Sequence, residues 1–294
     1  QWGHPIGEHE SIALKLGYMA SHTFAMEALS WLTAAMADDQ KKDIRLEAAM
    51  AKYFCTQHSW KIIDETLQIR GGQGYEQASS LRARGADDYP VERVLRDVRI
   101  NLIIEGTSEI MHLFIAREAL DPHLSHLKSL LDSRLSVLKR LKNFGSASLH
   151  YLIWYTQLGF PYFSSVFKRD TLKVLHAHTD FVEHSSRRLA RTVFHQMLKY
   201  QKKLESKQSV LNRMVDIGCD LLAMAASCSY AEHQSKNQTT RNALDLADAF
   251  CWEARKRIQA HFHENHTHHD QKILSIASAL LSKDFEWLES DIIL

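Results

Sequence analysis

The sequence predicts an all-α protein, and three observations support this fold class. Helix breakers are scarce: the 294 residues include 4 prolines and 11 glycines, and Gly218 is the only residue of either kind after Pro161. Apolar residues recur at roughly helical intervals over long stretches. The sequence shows neither the alternating pattern of a strand nor an internal repeat. We therefore expect long helices that bury their apolar faces against each other.

The first part of the chain contains two long helical patterns followed by a polar stretch. The first pattern covers residues 8–37 and the second residues 44–69. Gly71 and Gly72 follow the second pattern and are suitable for ending a helix. Residues 73–90 are polar and are predicted to form a loop.

Two further helices are predicted before the middle of the chain. The stretch VERVLRDVRINLII, residues 91–104, reads as a helix in which Glu92 and Arg96 are spaced as an exposed ion pair. Thr107 is predicted to cap the next helix, SEIMHLFIAREAL. Pro122 is expected to close this unit. Residues 1–122 are thus predicted to form one helical domain, and residues 123–294 a second helical region.

The second region is predicted to contain three long helices, near residues 171–204, 209–232 and 240–262, and a short final helix. The stretch LHYLIWYTQLGFPYF, residues 149–163, is dense in aromatic side chains. Such a stretch would suit a membrane interface, but we favour packing between the two helical regions. This alternative stays open at the level of the sequence.

Charge and cysteine content exclude some classes of protein. Lys and Arg total 36 against 35 Asp and Glu, so overall charge gives no reason to expect a nucleic-acid partner. The cysteines form no CxxC pair and are predicted to be buried thiols in a reducing compartment. They are Cys55, Cys219, Cys228 and Cys251. The chain begins Gln-Trp-Gly, without Met or a signal-peptide pattern, so we expect that processing or truncation removed a preceding segment.

A histidine-rich patch, HFHENHTHHD, precedes the final helix. Neutral imidazoles at this density can bind zinc or nickel. Because no cysteine or well-spaced carboxylate accompanies them, we favour a solvated loop and predict no metal site. The histidines are His261, His263, His266, His268 and His269.

Glu105 is the sharpest candidate for chemistry, because a single carboxylate follows an apolar run in INLIIEGTSEIM. Desolvation by Leu102, Ile103 and Ile104 would disfavour its charged form and make it a better general base. Gly106 would leave room for a substrate. The alternative is a helix-terminal glutamate exposed to water, which the local pattern alone favours slightly.

The stretch QIRGGQGYE, residues 68–76, is the second candidate, although its glycines follow a helix and do not form a dinucleotide fingerprint. Helix termination alone would explain Gly71. Gly72 and Gly74 would also let the backbone approach a ligand closely. Structural and ligand-binding roles are equally supported here.

Four ordered segments resemble the C-terminal helical domain of acyl-CoA dehydrogenases. They are QWGHPIGEHESIALKLGYMA, LQIRGGQGYE, YPVERVLRDVRINLIIEGTSEIM and LFIAREAL, within residues 1–120. The resemblance implies a four-helix bundle followed by a second helical region. It also implies an FAD-dependent enzyme of fatty-acid β-oxidation that oxidises acyl-CoA to trans-2-enoyl-CoA. In families whose base precedes Gly-Thr, the glutamate that removes the α-proton corresponds to Glu105.

The resemblance implies further cofactor contacts at individual positions. Thr107 matches a threonine that contacts FAD beside the base, and Glu109 stands where many members have a glutamine near the cofactor. Gln68, Gly71 and Gly72 match a loop that touches the adenosine half of FAD held mainly by a neighbouring subunit.

Three positions near the start of the chain complete these expectations. Gln1 and Trp2 match the start of a flavin-contacting segment in which phenylalanine is commoner than tryptophan. Glu10 occupies another frequent glutamine position. The family's N-terminal helical and β-barrel domains, which supply much of the pocket, are not in this chain, so we expect it to be part of a longer enzyme.

Residues 77–88, QASSLRARGADD, look like an insertion, and with the long C-terminal extension they resemble extended bacterial and very-long-chain members. This resemblance implies a homo-oligomer, with a dimer favoured, and peripheral membrane contact. The implied electron acceptor is an electron-transfer flavoprotein. We favour a bacterial cytoplasm over a mitochondrial matrix. The alternatives are an acyl-CoA oxidase and a non-catalytic helical module for assembly or membrane docking.

Overall fold

The computed structural model describes residues 3–39, 43–131, 149, 151–158, 173–236, 242–264 and 269–288. Every regular element within these ranges is helical, so the predicted all-α class is confirmed. Helix α1 spans Glu10–Asp38, after a 3₁₀ turn at Ile6–Glu8. Helix α2 spans Arg45–Arg70 and packs against α1. Both agree with the predicted stretches.

The segment after α2 is more ordered than the sequence predicts. It forms two short helices, α3 at Gly72–Tyr75 and α4 at Ala78–Ala83, where we expected a loop. Leu81 is fully buried and fixes α4, while Glu76 accepts hydrogen bonds from Ser80 and Arg84. The loop prediction is wrong for these two helices, because elements this short show no periodicity and are held by individual contacts, and it is confirmed for residues 84–90.

Helix α5 spans Val91–Arg99 and continues as a 3₁₀ turn over Ile100–Leu102, slightly short of the predicted end. The predicted Glu92–Arg96 ion pair is present at 2.7 Å. Helix α6 spans Ser108–Leu131 and therefore runs through Pro122, contrary to our expectation that this proline ends the unit. A proline within a helix removes one main-chain hydrogen bond but need not stop a helix whose turns continue on both sides.

The second region contains five helices within the described ranges. Helix α7 covers residues 151–158. The other four are α8 at His176–Tyr200, α9 at Gln208–Ser235, α10 at Ala243–Glu264 and α11 at His269–Leu281. Helices α8 and α9 are joined by a 3₁₀ segment at Gln201–Ser206. The predicted helices are confirmed.

Helix α9 is the centre of the fold and packs against α8, α10, α1 and α6. One hydrophobic core therefore runs from Phe24 and Leu29 of α1 to Met224 of α9 and Phe250 of α10. The proposed domain boundary at 122/123 falls inside α6, and the division into two domains stays a prediction. Among the described residues, α9 alone has the length and apolar composition of a membrane span, but 67% of its most apolar window is buried here. Core helices show the same properties, so this is weak evidence for a span.

The interior contains the cysteines that the sequence predicted to be buried. All four are free thiols; three are buried and Cys55 is half-buried. Cys228 of α9 and Cys251 of α10 lie with their sulfurs 3.8 Å apart. The small side chains of these two cysteines allow α9 and α10 to pack closely. Burial also raises the pKa of the Cys219 thiol.

The aromatic stretch is described only in part, because residues 150 and 159–163 lie outside the described ranges. Tyr151 and Trp154 of α7 lie with their rings 5.5 Å and 5.8 Å from that of Phe194 on α8. His123 of α6 packs on the same two α7 side chains. All of these residues lie within residues 123–294, so packing of the aromatic stretch between the two helical regions stays a prediction.

Candidate active site

Glu105 lies in a turn between α5 and α6 with an uncommon backbone conformation. Its φ is +51°, and that of Gly106 is +98°. The left-handed region costs an ordinary L-residue about 1–2 kcal/mol, because Cβ approaches the backbone. Such a conformation persists only when surrounding contacts hold it.

Contacts from α2 and α6 hold this turn. The ammonium of Lys52 on α2 donates a hydrogen bond of 2.6 Å to the carbonyl oxygen of Gly106. One turn further along α2, Gln57 Nε2 donates to Ser108 Oγ at 2.7 Å. A Cβ added to Gly106 would lie 2.8 Å from Met111 Sδ. The positive φ of Gly106 favours glycine at this position, and a larger residue would also require the flexible Met111 side chain to shift.

The start of α6 fixes the other side of the turn. Thr107 Oγ1 accepts a hydrogen bond from the backbone N–H of Ile110 at 3.4 Å, and its carbonyl accepts one from Met111 at 2.8 Å. Thr107 thus caps α6, as predicted. Glu109 is exposed; its own backbone N–H, and then the Thr107 hydroxyl, hold the pKa of its carboxyl below the usual value.

The predicted desolvation of Glu105 by its apolar neighbours is not found within the described residues. Leu102 is buried, but Ile103 and Ile104 are 48% and 46% exposed, and Glu105 is exposed too. Leu102 enters the core while the two isoleucines stay at the surface. The expectation that Leu102, Ile103 and Ile104 desolvate Glu105 is therefore wrong for the described residues. The turn instead presents a carboxylate beside uncovered apolar surface.

The predicted adenosine-side residues lie at the end of α2. Gln68, Gly71 and Gly72 are exposed, and Gly71 has a φ of +57°. A Cβ added at either glycine would meet nothing within 4 Å, whereas one at Gly74 would lie 2.7 Å from the carbonyl oxygen of Leu67. Gly74 therefore has a packing role, and the backbone at Gly71 and Gly72 is open to a ligand.

The remaining predicted site residues are at the beginning of the chain. Glu10 is exposed at the first residue of α1. Gln1 and Trp2 lie outside the described residues. The structure therefore brings Glu105, Thr107 and Glu109 together on one turn, and it places Gln68, Gly71 and Gly72 together at a separate helix end.

Comparison with known protein families identifies this arrangement. Residues 1–120 match the acyl-CoA dehydrogenase C-terminal domain, and residues 173–285 match the ACAD9/ACADV C-terminal domain. The chain belongs to the acyl-CoA dehydrogenase family. The resemblance of the sequence motifs, including that of the extension to very-long-chain members, is confirmed.

Relatives of this acyl-CoA dehydrogenase chain are longer than the chain itself. The probable acyl-CoA dehydrogenase FadE10 of Mycobacterium tuberculosis is 41% identical over 295 residues, 100% of this chain and 45% of that protein. The human mitochondrial very long-chain specific acyl-CoA dehydrogenase is 30% identical over 268 residues, 88% of this chain and 38% of that protein. The chain thus spans less than half the length of these relatives.

A solved structure has the same fold. An acyl-CoA dehydrogenase from Bacillus anthracis, complexed with FAD, superimposes with a TM-score of 0.67. The superposition covers 94% of this chain and 46% of that chain at 22% identity. Both helical regions of the present chain therefore follow a fold found in that family.

The sequence did not indicate a buried polar network that joins the dehydrogenase bundle to the C-terminal region. Arg257 of α10 binds Asp220 of α9 through two hydrogen bonds of 2.7 Å and 3.0 Å. It also donates to His22 Nε2 of α1 at 3.1 Å. Because Arg257 can only donate, His22 carries its proton on Nδ1, which donates to the carbonyl of Tyr18 at 2.9 Å.

The histidines of this network are held neutral. Burial, followed by the Arg257 guanidinium, lowers the pKa of His22 to about 3 and that of His58 on α2 to about 2. The Tyr18 hydroxyl is hydrogen bonded to His58 Nδ1 at 2.9 Å, and burial raises the pKa of Tyr18 to about 12. Only the i, i+4 spacing of Tyr18 and His22 was visible in the sequence, because Arg257 lies 235 residues from His22.

A second network begins one residue from the contacts that hold Glu105. Asp216 of α9 accepts hydrogen bonds of 2.8 Å from the Tyr53 hydroxyl and from His112 Nε2. Tyr53 follows Lys52 on α2, and His112 follows Met111 on α6. The C-terminal region thus contacts both helices at the level where they hold the Glu105 turn.

The histidine-rich patch is described only in part. His261 Nε2 lies 3.9 Å from Asp216 Oδ2, and His263 is exposed at the end of α10. His266 and His268 lie outside the described residues. Within the described ranges, no three His, Cys, Asp or Glu side chains come together as metal ligands.

Proposed function

We propose that this chain supplies the catalytic base, Glu105, of an FAD-dependent acyl-CoA dehydrogenase. The complete enzyme would convert acyl-CoA into trans-2-enoyl-CoA in fatty-acid β-oxidation. Family membership supports this proposal, as does the name acyl-CoA dehydrogenase carried by FadE10 and by the human very long-chain relative.

The observation that carries the proposal is the geometry of the Glu105 turn. An exposed carboxylate follows a buried Leu102 and stands on a left-handed residue whose neighbours are tethered by α2. An ordinary helix often ends on a left-handed residue, usually glycine. Here a glutamate takes that conformation, and two hydrogen bonds from another helix tether the residues that follow it. The arrangement fixes the backbone position from which the Glu105 side chain extends. A base needs such a fixed position in order to reach a substrate proton.

Proton removal from Cα depends on alignment as well as basicity. The thioester carbonyl makes the α-proton acidic only when the developing enolate oxygen is stabilised. Glu105 would accept this proton from acyl-CoA. The exposed side chains of Ile103, Ile104 and Ile110 form apolar surface whose covering would exclude water from the carboxylate and strengthen it as a base.

The residues present are consistent with FAD as the cofactor. FAD, when bound, supplies the acceptor for the hydride that leaves Cβ. Gly71 and Gly72 present open backbone, and Gln68 beside them is exposed. Glu109, ionised at neutral pH, would accept hydrogen bonds from hydroxyl groups of the cofactor. Thr107 would contact the cofactor beside the base, and Gln1, Trp2 and Glu10 would complete its contacts with this chain.

The assembly and cellular setting follow the same proposal. We propose a homodimer in a bacterial cytoplasm, with an electron-transfer flavoprotein as electron acceptor and peripheral contact with a membrane. The bacterial FadE10 relative supports this setting, and the mitochondrial relative supports a mitochondrial matrix as the alternative.

Anaerobic flavin bleaching tests the proposal in the full-length, FAD-loaded protein. Acyl-CoA should bleach the wild-type flavin, and Glu105→Gln should retain FAD but lose bleaching. Loss of a single catalytic acid–base group typically lowers rates about 100–10,000-fold. Glu205→Gln, which changes an exposed carboxylate on the 3₁₀ segment after α8, is the matched control.

Three outcomes would change the assignment. Wild-type bleaching in Glu105→Gln would exclude Glu105 as the base, and lack of bleaching in the wild type would favour the non-catalytic helical module. Peroxide release without reduction of an electron-transfer flavoprotein would indicate an acyl-CoA oxidase with the same base.

A further inference from the structure

The contact between Lys52 and the Glu105 turn has a consequence for catalysis. We propose that Lys52 is a positioning residue that holds Glu105 in its left-handed conformation, so that the carboxylate is aligned with the substrate α-carbon. The proposal rests on the proposed role of Glu105 as the base. Lys52 would act through the Gly106 carbonyl and would not touch substrate.

The hydrogen bond acts on the peptide that follows Gly106, one residue beyond the base. The Gly106 carbonyl lies at the second of two consecutive positive-φ residues, so its direction depends on both dihedral angles. An ammonium donor 2.6 Å away makes a charge-assisted hydrogen bond, which is stronger than a neutral one. If the turn relaxed to an ordinary conformation, the carbonyl would leave Lys52.

The lysine itself is fixed by the helix that carries it. The Thr56 hydroxyl donates to the Lys52 carbonyl at 2.9 Å, and the adjacent Tyr53 is hydrogen bonded to Asp216 of α9. Gln57 on the next turn of α2 holds Ser108. Lys52 and Gln57 therefore tether the chain on both sides of Thr107, and α2 serves as the rigid reference for the base.

Packing against α6 adds a second contact to the turn. Met111 Sδ lies 2.8 Å from where a Cβ on Gly106 would stand, so the Met111 side chain packs closely against the glycine. Lys52 and Met111 thus both contact the turn. Loss of the ammonium would remove the first contact while leaving the carboxylate, the glycine and the α6 cap in place.

Single-turnover flavin bleaching by acyl-CoA in the full-length, FAD-loaded protein tests this role. Lys52→Met should lower the limiting bleaching rate about 10–100-fold, since a misplacement of about 1 Å can cost about 100-fold in rate. The acyl-CoA concentration at half-saturation and the FAD content should change less than about twofold, because uniform binding is retained. Lys52→Arg should recover part of the rate, because a guanidinium also donates to a carbonyl.

Lys61→Met provides a matched control on the same helix, since the Lys61 ammonium lies over the Tyr18 ring and not at the turn. It should bleach at the wild-type rate. A wild-type rate in Lys52→Met would overturn the proposal. A change confined to the acyl-CoA concentration at half-saturation, with the limiting rate unchanged, would overturn it too.

Glu105→Gln measured in parallel separates this proposal from the assignment of the base. If Glu105→Gln is inactive while Lys52→Met is normal, only the positioning role fails; if Glu105→Gln bleaches normally, the base assignment fails. Should Lys52→Met be recovered without FAD, Lys52→Gln replaces it, because its amide nitrogen is one bond too short to reach Gly106. A wild-type rate in that variant would equally overturn the proposal, and a lowered limiting rate would support it.

Discussion

The helices of residues 1–122 have two contrasting surfaces. One packs against α9 and α10, and the other is at the Glu105 turn. Against α9 and α10, Arg257 and Asp220 are paired and the neighbouring histidine His22 is fully buried. At the turn, the carboxylate of Glu105 and the side chains of Ile103 and Ile104 are exposed. The first surface therefore pairs its charged groups within the described residues, whereas the second presents an exposed carboxylate beside exposed apolar side chains.

Under the proposed function, this difference separates the residues that stabilise the fold from the residue that performs the chemistry. Burial of a charge requires a partner and hydrogen bonds, and the Arg257–Asp220 pair meets that requirement. A catalytic carboxylate must instead keep its oxygen atoms free for the substrate. The chain therefore fixes the backbone of Glu105 through Lys52 and Met111 and leaves the carboxylate available.

The largest expected effect on stability comes from removing one charge of the packed surface. Arg257→Met would leave Asp220 buried without its partner, and breaking a buried pair in this way costs about 3–5 kcal/mol. Urea denaturation should show a corresponding loss in the free energy of unfolding. Lys256→Met, which alters the exposed neighbour on α10, should change it by less than about 0.5 kcal/mol. A loss below about 1 kcal/mol in Arg257→Met would show that this surface is not tightly packed.

The pH dependence of unfolding tests the neutral histidines. The pKa values of His22 and His58 are lowered in the fold to about 3 and about 2, so the unfolded chain binds protons that the folded protein does not. Their stabilising contribution is present above the unfolded pKa of about 6.5 and is lost as the pH falls toward the folded values. Between pH 7 and pH 5 each histidine should contribute about 2 kcal/mol to this loss.

The variant His22→Phe isolates one of these contributions. It should lose about 2 kcal/mol less than the wild type between pH 7 and pH 5, whatever its stability at pH 7. Equal losses in the two proteins would mean that folding does not lower the pKa of His22.

A change at Asp216 should have a smaller effect, which reaches both the stability of the packed surface and the Glu105 turn. Asp216→Leu would leave the Tyr53 hydroxyl and His112 Nε2 without their partner, at a cost of about 1–3 kcal/mol. Because Tyr53 and His112 adjoin Lys52 and Met111, we also expect flavin bleaching to slow by about 2–5-fold, a coupling of the usual size between contiguous sites. Unchanged bleaching despite lower stability would show that the Glu105 turn is independent of α9.

Local features of the fold were predictable from sequence, and long-range ones were not. Helical periodicity predicted the long helices, and the Thr107 cap follows from residue type and position. The partners of His22 and Asp216 could not be read from the sequence, since hydrogen bonds across 235 and 104 residues leave no local pattern. Helix α4 was missed because the single buried side chain of Leu81 fixes it.

The candidate site shows the same limit. The motif around Glu105 predicted the base, but the apolar run before it suggested a desolvated carboxylate, whereas Glu105 is exposed among the described residues. Sequence proximity of Ile103 and Ile104 to the carboxylate does not determine which way each side chain points, because the 3₁₀ turn at Ile100–Leu102 interrupts the helical periodicity. The tether from Lys52 became visible only when α2 and the turn were placed together.

Exchange of the substrate α-hydrogen with solvent tests the central claim that Glu105 is the base. An acyl-CoA analogue with sulfur in place of the β-carbon cannot release a hydride, so only α-proton abstraction is reported. After incubation in D2O with the full-length, FAD-loaded protein, mass spectrometry should show deuterium at Cα for the wild type and none above background for Glu105→Gln with equal FAD content. Deuterium incorporation by Glu105→Gln at the wild-type rate would contradict the account.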